Sequence, residues 1–153
     1  MAREIRIEEQ AQVPLDGAVF GWLAMVPIWL LALTVCLQGE MQGLALRGLV
    51  LWSAGIVMFL AGVRRGLSFR TPGGPRGGQL AVMLGMFGAG LLALILPEAI
   101  GLVLLALCYA IYAVLDPRAA RRQEVPLYFI RLRPWQMGSA CLALGGAWLA
   151  LVL

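Results

Sequence analysis

The chain has 153 residues, of which 61% are hydrophobic and 13% are charged, and its formal net charge is +4. A soluble domain of this length cannot bury so much apolar surface in one core, so the composition predicts a membrane protein. The chain contains no His, Lys or Asn, which excludes a Ser-His-Asp triad, a histidine metal site and a Schiff-base lysine.

The N-terminal region predicts a soluble arm followed by a first transmembrane span. Residues 1–15 are expected to form a short cytoplasmic arm, because residues 1–14 are polar, mixed in sign and without the apolar segment of a signal peptide. Residues 18–37 carry no charge and as a helix would extend about 30 Å, the thickness of the hydrocarbon layer. Pro27 lies in the middle of this span and predicts a kink whose freed carbonyl is satisfied by a neighbour or water.

The second span is predicted over residues 44–63 and stops at two arginines. Arg64 and Arg65 mark the point where guanidinium groups meet lipid phosphates. Gly48, Gly55 and Gly62 recur every seven residues, so they are expected to form a smooth stripe against which another helix packs. Residues 66–78 are rich in glycine and proline and predict a surface loop.

Residues 80–115 contain one charged residue, Glu98, and predict two spans. A single helix of this length would extend about 54 Å, well beyond the hydrocarbon layer, so a break is expected at Pro97. The spans are therefore placed at residues 80–96 and 97–115. The Glu98 carboxylate is expected either to face the positive end of a helix dipole or to form a proton or cation site in the bundle.

The last part of the chain predicts an interfacial segment and a fifth span. Residues 116–136 carry five arginines. Their later part, residues 127–135, interleaves aromatic and aliphatic side chains with cations, as expected for a segment lying along the headgroups. Asp116 is placed at a helix end, and the last span is predicted over residues 137–153. Two more stripes of small residues at four-residue spacing are expected to pack against other helices of this chain or of another protein. These stripes are Ala81, Gly85, Ala89 and Ala93, and Ser139, Ala143 and Ala147.

The arginine distribution predicts the orientation. With five spans, eleven of the twelve arginines fall on one side, and only Arg47 lies opposite. The positive-inside rule then places the N-terminus inside and the C-terminus outside. The predicted fold is an all-α membrane protein, a compact bundle of five transmembrane helices.

Two arginine pairs are the candidate binding residues. Arg64, Arg65, Arg121 and Arg122 are expected either to fix the topology or to contact anionic lipid headgroups or a partner, because arginine binds phosphate through a planar fork. Nucleic acid is not expected, since the basic residues are split across loops beside an anionic membrane. No catalytic residue, cofactor or metal is predicted. Three cysteines within apolar segments are interpreted as small buried side chains, with a metal or redox role as the alternative: Cys36, Cys108 and Cys141.

Several segments resemble a known family. They are residues 17–27 (GAVFGWLAMVP), residues 58–66 (MFLAGVRRG), a fourth span ending in Asp116, and residues 128–133 (YFIRLR). Together they resemble the transmembrane protein 69-like family of small integral membrane proteins, domain of unknown function 3429. Met58, Ala61 and Arg65 stand where the family pattern has Ser, Gly and Trp. The resemblance implies a five-span inner-membrane protein of bacterial or mitochondrial type, and it implies no reaction.

The predicted function is that of a non-catalytic integral membrane protein. We expect an accessory or assembly component that binds another integral membrane protein or complex, or membrane lipids, anionic ones included. The alternative is a small transporter or channel for a small solute or ion, motivated by Pro27, Glu98 and the hydroxyls within the spans. The predicted location is the bacterial cytoplasmic membrane, in preference to the mitochondrial inner membrane.

Overall fold

A computed structural model describes residues 12–71 and 73–153, and these residues fold into six α-helices. The helices are α1 (Leu15–Leu23), α2 (Val26–Cys36), α3 (Gln42–Ser68), α4 (Gly77–Ile95), α5 (Glu98–Arg121) and α6 (Phe129–Val152). Most of the predicted N-terminal arm, residues 1–11, lies outside the described residues.

Five segments of the described chain are long and apolar enough to cross a membrane. The first consists of α1 and α2 together, and the other four are α3, α4, α5 and α6. The predicted all-α fold, with five segments long and apolar enough to span a membrane, is thereby confirmed, whereas the orientation of the termini stays a prediction. Short connections place successive spans side by side, with α5 packed extensively on α6 and α3 on α4.

The first span is broken at Ala24 and Met25, between α1 and α2. Pro27 is the second residue of α2, and its ring and missing N–H prevent a continuous helix through this point. The indole N–H of Trp52 on α3 donates a hydrogen bond of 2.9 Å to the carbonyl of Ala24. A neighbouring helix thus satisfies a carbonyl in the break. The carbonyl that loses its helical donor to Pro27 is that of Leu23, four residues earlier, and its partner stays a prediction.

The helices at the arginine-rich end extend further than predicted. Here α3 continues to Ser68, α5 continues through Pro117 to Arg121, and α6 begins at Phe129. Of residues 127–135, which are predicted to lie along the headgroups, residues 129–135 form the start of α6, and their position relative to the headgroups stays a prediction. A span predicted from composition ends at the first charged residue. The helix itself can continue past that residue when the charged side chain forms an ion pair or hydrogen bond.

The centre of the bundle is filled by side chains of α5 packed against α3 and α6. Leu102, Leu105, Tyr109 and Tyr112 are all fully buried. The two tyrosine hydroxyls donate to backbone carbonyls of α3, at 3.1 Å and 3.2 Å. These bonds satisfy the polar atoms of the largest core side chains, so the tyrosines fasten α5 to α3 inside an otherwise apolar core.

Two glycines allow close approach between helices. A Cβ added at Gly101 would lie 2.8 Å from the carbonyl oxygen of Ala93, across the turn from α4 to α5. A Cβ added at Gly90 would lie 3.3 Å from the carbonyl oxygen of Ala54 and 2.7 Å from Cγ of Met58. These positions on α5 and α4, rather than the stripe on α3, are where backbone meets backbone most closely.

The predicted small-residue stripes are only partly turned toward the bundle. Gly48 faces Leu31 of α2, whereas Gly55 and Gly62 are exposed and an added Cβ would meet no atom within 4 Å. These two glycines therefore make no close contact with other described helices of this chain. In the other stripes Ala93 and Ala147 are buried, Ala89, Ser139 and Ala143 are half-buried, and Ala81 and Gly85 are exposed. Packing of the exposed positions against another protein stays a prediction.

Candidate functional site

A buried carboxylate lies at the arginine-rich end of the bundle. Asp116 lies within α5, five residues before its last residue, and its side chain is 4% exposed. Its Oδ1 accepts hydrogen bonds from Nη2 and Nε of Arg64 on α3, at 2.6 Å and 2.9 Å. The expectation that Asp116 stands at a helix end is therefore wrong, because its arginine partners compensate the charge within the helix.

A second guanidinium approaches the same carboxylate from α6. Arg133 Nε lies 3.5 Å from Asp116 Oδ2, which is an ion-pair distance, but this N–H has no hydrogen-bond acceptor. The guanidinium of Arg133 also lies over the ring of Phe129, 4.4 Å from its centroid. Arg64, Asp116 and Arg133 form a cluster, called here the buried triad, that links three helices. Two cations share one anion in it, so its formal charge is +1.

Beside the buried triad lies a cleft of about 440 Å³ between the start of α4 and the end of α5. Four arginines line it, together with Gln79, Glu124 and apolar and small residues of both helices. The arginines are Arg64, Arg76, Arg118 and Arg122. We call this site the arginine cleft.

The mouth of the arginine cleft is held in place by the loop before α4. The side-chain amide of Gln79 donates to the hydroxyl of Thr71 at 3.0 Å, and its carbonyl accepts the backbone N–H of Arg76 at 3.0 Å. Arg76 also pairs with Glu124, at 3.6 Å between Nη1 and Oε1. These contacts fix the N-terminus of α4, where Gly78 and Gln79 line the cleft, so the positive end of the helix dipole lies beside it.

The arginine cleft carries uncompensated positive charge. Arg64 is paired with Asp116 and Arg76 with Glu124, whereas Arg118 and Arg122 have no acidic partner among the described residues. Arg118 lies in the last turn of α5, and Arg122, four positions later, is the C-cap residue that follows the helix; both line the same cleft. Two unpaired guanidiniums beside a helix N-terminus form a site that attracts phosphate or another compact anion.

The four arginines predicted to bind lipid or a partner do not form one site. Arg64 and Arg122 line the arginine cleft. The Arg65 guanidinium lies over the ring of Phe69, 4.2 Å from its centroid, and also donates to the hydroxyl of Ser68. Arg121 is exposed at the end of α5 and does not line the cleft. Headgroup contact by any of the four stays a prediction.

Sequence analysis missed the roles of Arg76, Arg118, Asp116 and Arg133. The useful signal was Asp116, the one acidic residue near the end of a long apolar segment and beside many arginines. A carboxylate at such a position needs a cation from another helix, and the end of the second span supplied one. The sequence alone could not identify which arginine pairs with Asp116.

Glu98 lies at the opposite end of the bundle, as the first residue of α5. Its carboxylate is 3.9 Å from Nε of Arg47, and both side chains are substantially exposed. A carboxylate in the first turn of a helix interacts favourably with the positive end of the helix dipole. This position agrees with the first of the two expectations for Glu98. The other expectation, a proton or cation site, stays a prediction.

Comparisons with known proteins add no further constraint. No family model matches the chain, and neither a curated protein nor a solved structure matches it. The resemblance to the transmembrane protein 69-like family therefore stays a prediction from the sequence motifs.

Proposed function

We propose that this chain is a non-catalytic, multi-pass membrane protein that holds an anionic, phosphate-bearing lipid headgroup in the arginine cleft. The protein acts as an accessory component that contacts another membrane protein, and the bound lipid forms part of that contact surface. The observation that carries the proposal is the pair of unpaired guanidiniums, Arg118 and Arg122, in a preformed cleft at the end of a membrane-spanning helix.

The chemistry of the arginine cleft supports a phosphate ligand. Guanidinium groups bind phosphate oxygens bidentately, and the positive end of the α4 dipole beside the cleft favours an anion. A cleft volume of about 440 Å³ lies within the range of small-molecule sites and accommodates a headgroup. Because the cleft lies where helices leave the apolar layer, a lipid can place its phosphate there while its tails stay in the bilayer.

The architecture supports binding more than transport. The helices and short connections account for nearly all described residues, so the sites available for function lie within the bundle and at its ends. Leu102, Leu105 and Tyr109 fill the centre, and the Tyr109 hydroxyl is used in a bond to α3. A transport path along this line would require these side chains to move apart, which makes the transporter alternative the weaker proposal.

The proposal is tested by the lipid retained on the purified protein. The full chain in a neutral detergent is mixed with phosphatidylcholine containing a small fraction of phosphatidylglycerol or phosphatidic acid, and bound lipids are counted by native mass spectrometry. The double variant Arg118→Gln/Arg122→Gln is expected to lower the affinity for the anionic lipid by about tenfold or more, since each arginine contributes about 1 kcal/mol.

A matched control separates the cleft from overall charge. Arg121→Gln/Arg131→Gln removes the same two charges from exposed positions at the same end, outside the cleft. This control is expected to retain most of the lipid. Equal losses in both double variants, or equal retention of phosphatidylcholine and the anionic lipids by the unchanged chain, would refute a cleft-specific site.

The finer location belongs to the same proposal. Arginines concentrated at one end support a cytoplasmic N-terminus and an outside C-terminus in a bacterial inner membrane. Reporter fusions at both ends measure this directly. Reporters found on one common side of the membrane would overturn the five-span orientation.

A further inference from the structure

A second cavity at the arginine-rich end is a groove of about 270 Å³ between α1, α3 and α6. Its walls are mainly aromatic and aliphatic. Two of its aromatic side chains are largely exposed, Phe20 at 71% and Phe59 at 65%. On a membrane-spanning bundle such side chains face lipid tails, so the groove is open toward the apolar layer.

Inside this groove lies a polar side chain without a partner. Gln136 on α6 is fully buried, and neither its Oε1 nor its Nε2 makes a hydrogen bond within the described chain. Burying an unpaired amide is costly, and polar groups within membrane spans are usually paired. The amide lies against Gly21 of α1, where a Cβ would collide with Nε2. The missing side chain of Gly21 therefore leaves room for the Gln136 amide, but no described residue forms a hydrogen bond with it.

Two other groups of the groove are hydrogen-bond donors. Arg133 of the buried triad lines the groove, and its Nε–H lacks an acceptor. The Tyr128 hydroxyl also lines it and makes no hydrogen bond within the described residues. With the Gln136 amide, these groups offer four donor hydrogens and two acceptor oxygens. Since the buried triad has a formal charge of +1, a ligand carrying one negative charge would neutralise it.

From this arrangement we propose that the groove binds the carboxylate of a long-chain amphiphile, a free fatty-acid anion. The carboxylate accepts from Gln136 and Tyr128 beside the surplus charge of Arg133, and the chain passes between Phe20 and Phe59 into the apolar layer. A monoanion matches the charge of the buried triad, and a carboxylate matches the excess of donors. The volume of the groove accommodates the carboxylate and the first methylenes.

Access to Gln136 is provided by α1. None of the nine residues of α1 is buried, and the break at Ala24 and Met25 separates α1 from α2. A short helix that buries no residue can tilt about such a break without disturbing the core. Tilting of α1 uncovers the Gln136 amide from the membrane side, and binding of the carboxylate holds α1 closed over it.

The test uses the purified full chain, delipidated in a neutral detergent, with oleate, oleyl alcohol and methyl oleate as probes below their micelle concentrations. Bound ligand is counted by native mass spectrometry, and oleate labelled with ¹³C at the carboxyl is followed by NMR. The expected result is saturable binding of one oleate per chain, with an affinity at least about tenfold above that for oleyl alcohol or methyl oleate.

Two substitutions at one position and one control locate the site. Gln136→Leu removes the polar group at similar volume, and Gln136→Glu places a carboxylate next to the surplus charge; each is expected to weaken oleate binding by about tenfold or more. Ser53→Ala is the control, because Ser53 on α3 is also fully buried with an unpaired hydroxyl but does not line the groove. It is expected to bind oleate as the unchanged chain does. All four chains must show the same helical circular dichroism.

Three outcomes would overturn the inference. One is equal binding of oleate and oleyl alcohol, which would indicate simple partitioning. Another is unchanged oleate binding in Gln136→Leu, and the third is a groove that takes up only water and no oleate. The phosphate site of the proposed function is independent, because Arg118→Gln/Arg122→Gln is expected to leave oleate binding unchanged. Each proposal can therefore fail alone: phospholipid binding that Arg118→Gln/Arg122→Gln leaves unchanged refutes the phosphate site, and oleate binding that Gln136→Leu leaves unchanged refutes the carboxylate site.

Discussion

Replacing Asp116 with Asn tests whether the buried triad holds α3, α5 and α6 together. The substitution keeps the shape of the side chain and removes the anion shared by Arg64 and Arg133, whose side chains are only 13% and 12% exposed. Removing one partner of a buried ion pair leaves an uncompensated charge and costs about 3–5 kcal/mol. At about 1.4 kcal/mol per factor of ten, the folding equilibrium constant falls roughly 100- to 4000-fold.

The unfolding free energy is measured by titrating the protein from a mild detergent into sodium dodecyl sulfate while following tryptophan fluorescence. Glu98→Gln is the matched control, since its pair with Arg47 at 3.9 Å is exposed and contributes less than about 1 kcal/mol. The triple variant Arg64→Met/Asp116→Leu/Arg133→Met is expected to recover most of the loss, because apolar replacement of a whole buried cluster is often neutral. If Asp116→Asn destabilises no more than Glu98→Gln, the buried triad does not stabilise the fold.

Four further substitutions test the packing of the bundle by the same unfolding titration. Tyr112→Phe is expected to lose about 1 kcal/mol, the contribution of one buried hydrogen bond, and no measurable loss would argue against the bond to α3. Gly101→Ala is expected to lower the free energy of unfolding by about 1–3 kcal/mol, because the new Cβ would lie 2.8 Å from the Ala93 carbonyl oxygen. Gly55→Ala is expected to be neutral or stabilising, because an added Cβ meets no atom there. A larger loss for Gly55→Ala than for Gly101→Ala would contradict this packing. Trp52→Phe is expected to lose about 1 kcal/mol by freeing a carbonyl in the break of the first span, and to speed hydrogen exchange in α1; unchanged exchange would exclude this role.

The number and approximate position of the spans could be predicted from the sequence because both follow from local properties. Apolar length decides whether a segment can cross a membrane, and the break at Pro97 follows from the length limit of residues 80–115. The kink at Pro27 was predictable for the same reason, since a missing N–H acts within its own helix. The donor that satisfies the break, Trp52, comes from another helix and could not be identified from spacing alone.

Helix ends and small-residue stripes were harder to predict because they depend on neighbouring helices. The seven-residue spacing of Gly48, Gly55 and Gly62 shows that the three share a face, but not what that face contacts. In the fold the face turns outward at Gly55 and Gly62, while the close approaches occur at Gly90 and Gly101. Helix contact is a property of a pair of surfaces, and one sequence segment specifies only one of them.

The arginines show the same limit and its consequence for function. By position in the sequence, Arg64 and Arg65 are equivalent, yet the fold gives one a buried carboxylate and the other an aromatic ring. The difference arises from the helical turn of about 100° between successive residues, which directs adjacent side chains to different neighbours. Charge that is neutralised inside the protein cannot attract a ligand, so the cations available for binding are those that the packing leaves unpaired. Arg118 and Arg122 meet this condition, and they, rather than the arginine pair that ends the second span, are the residues on which lipid binding is expected to depend.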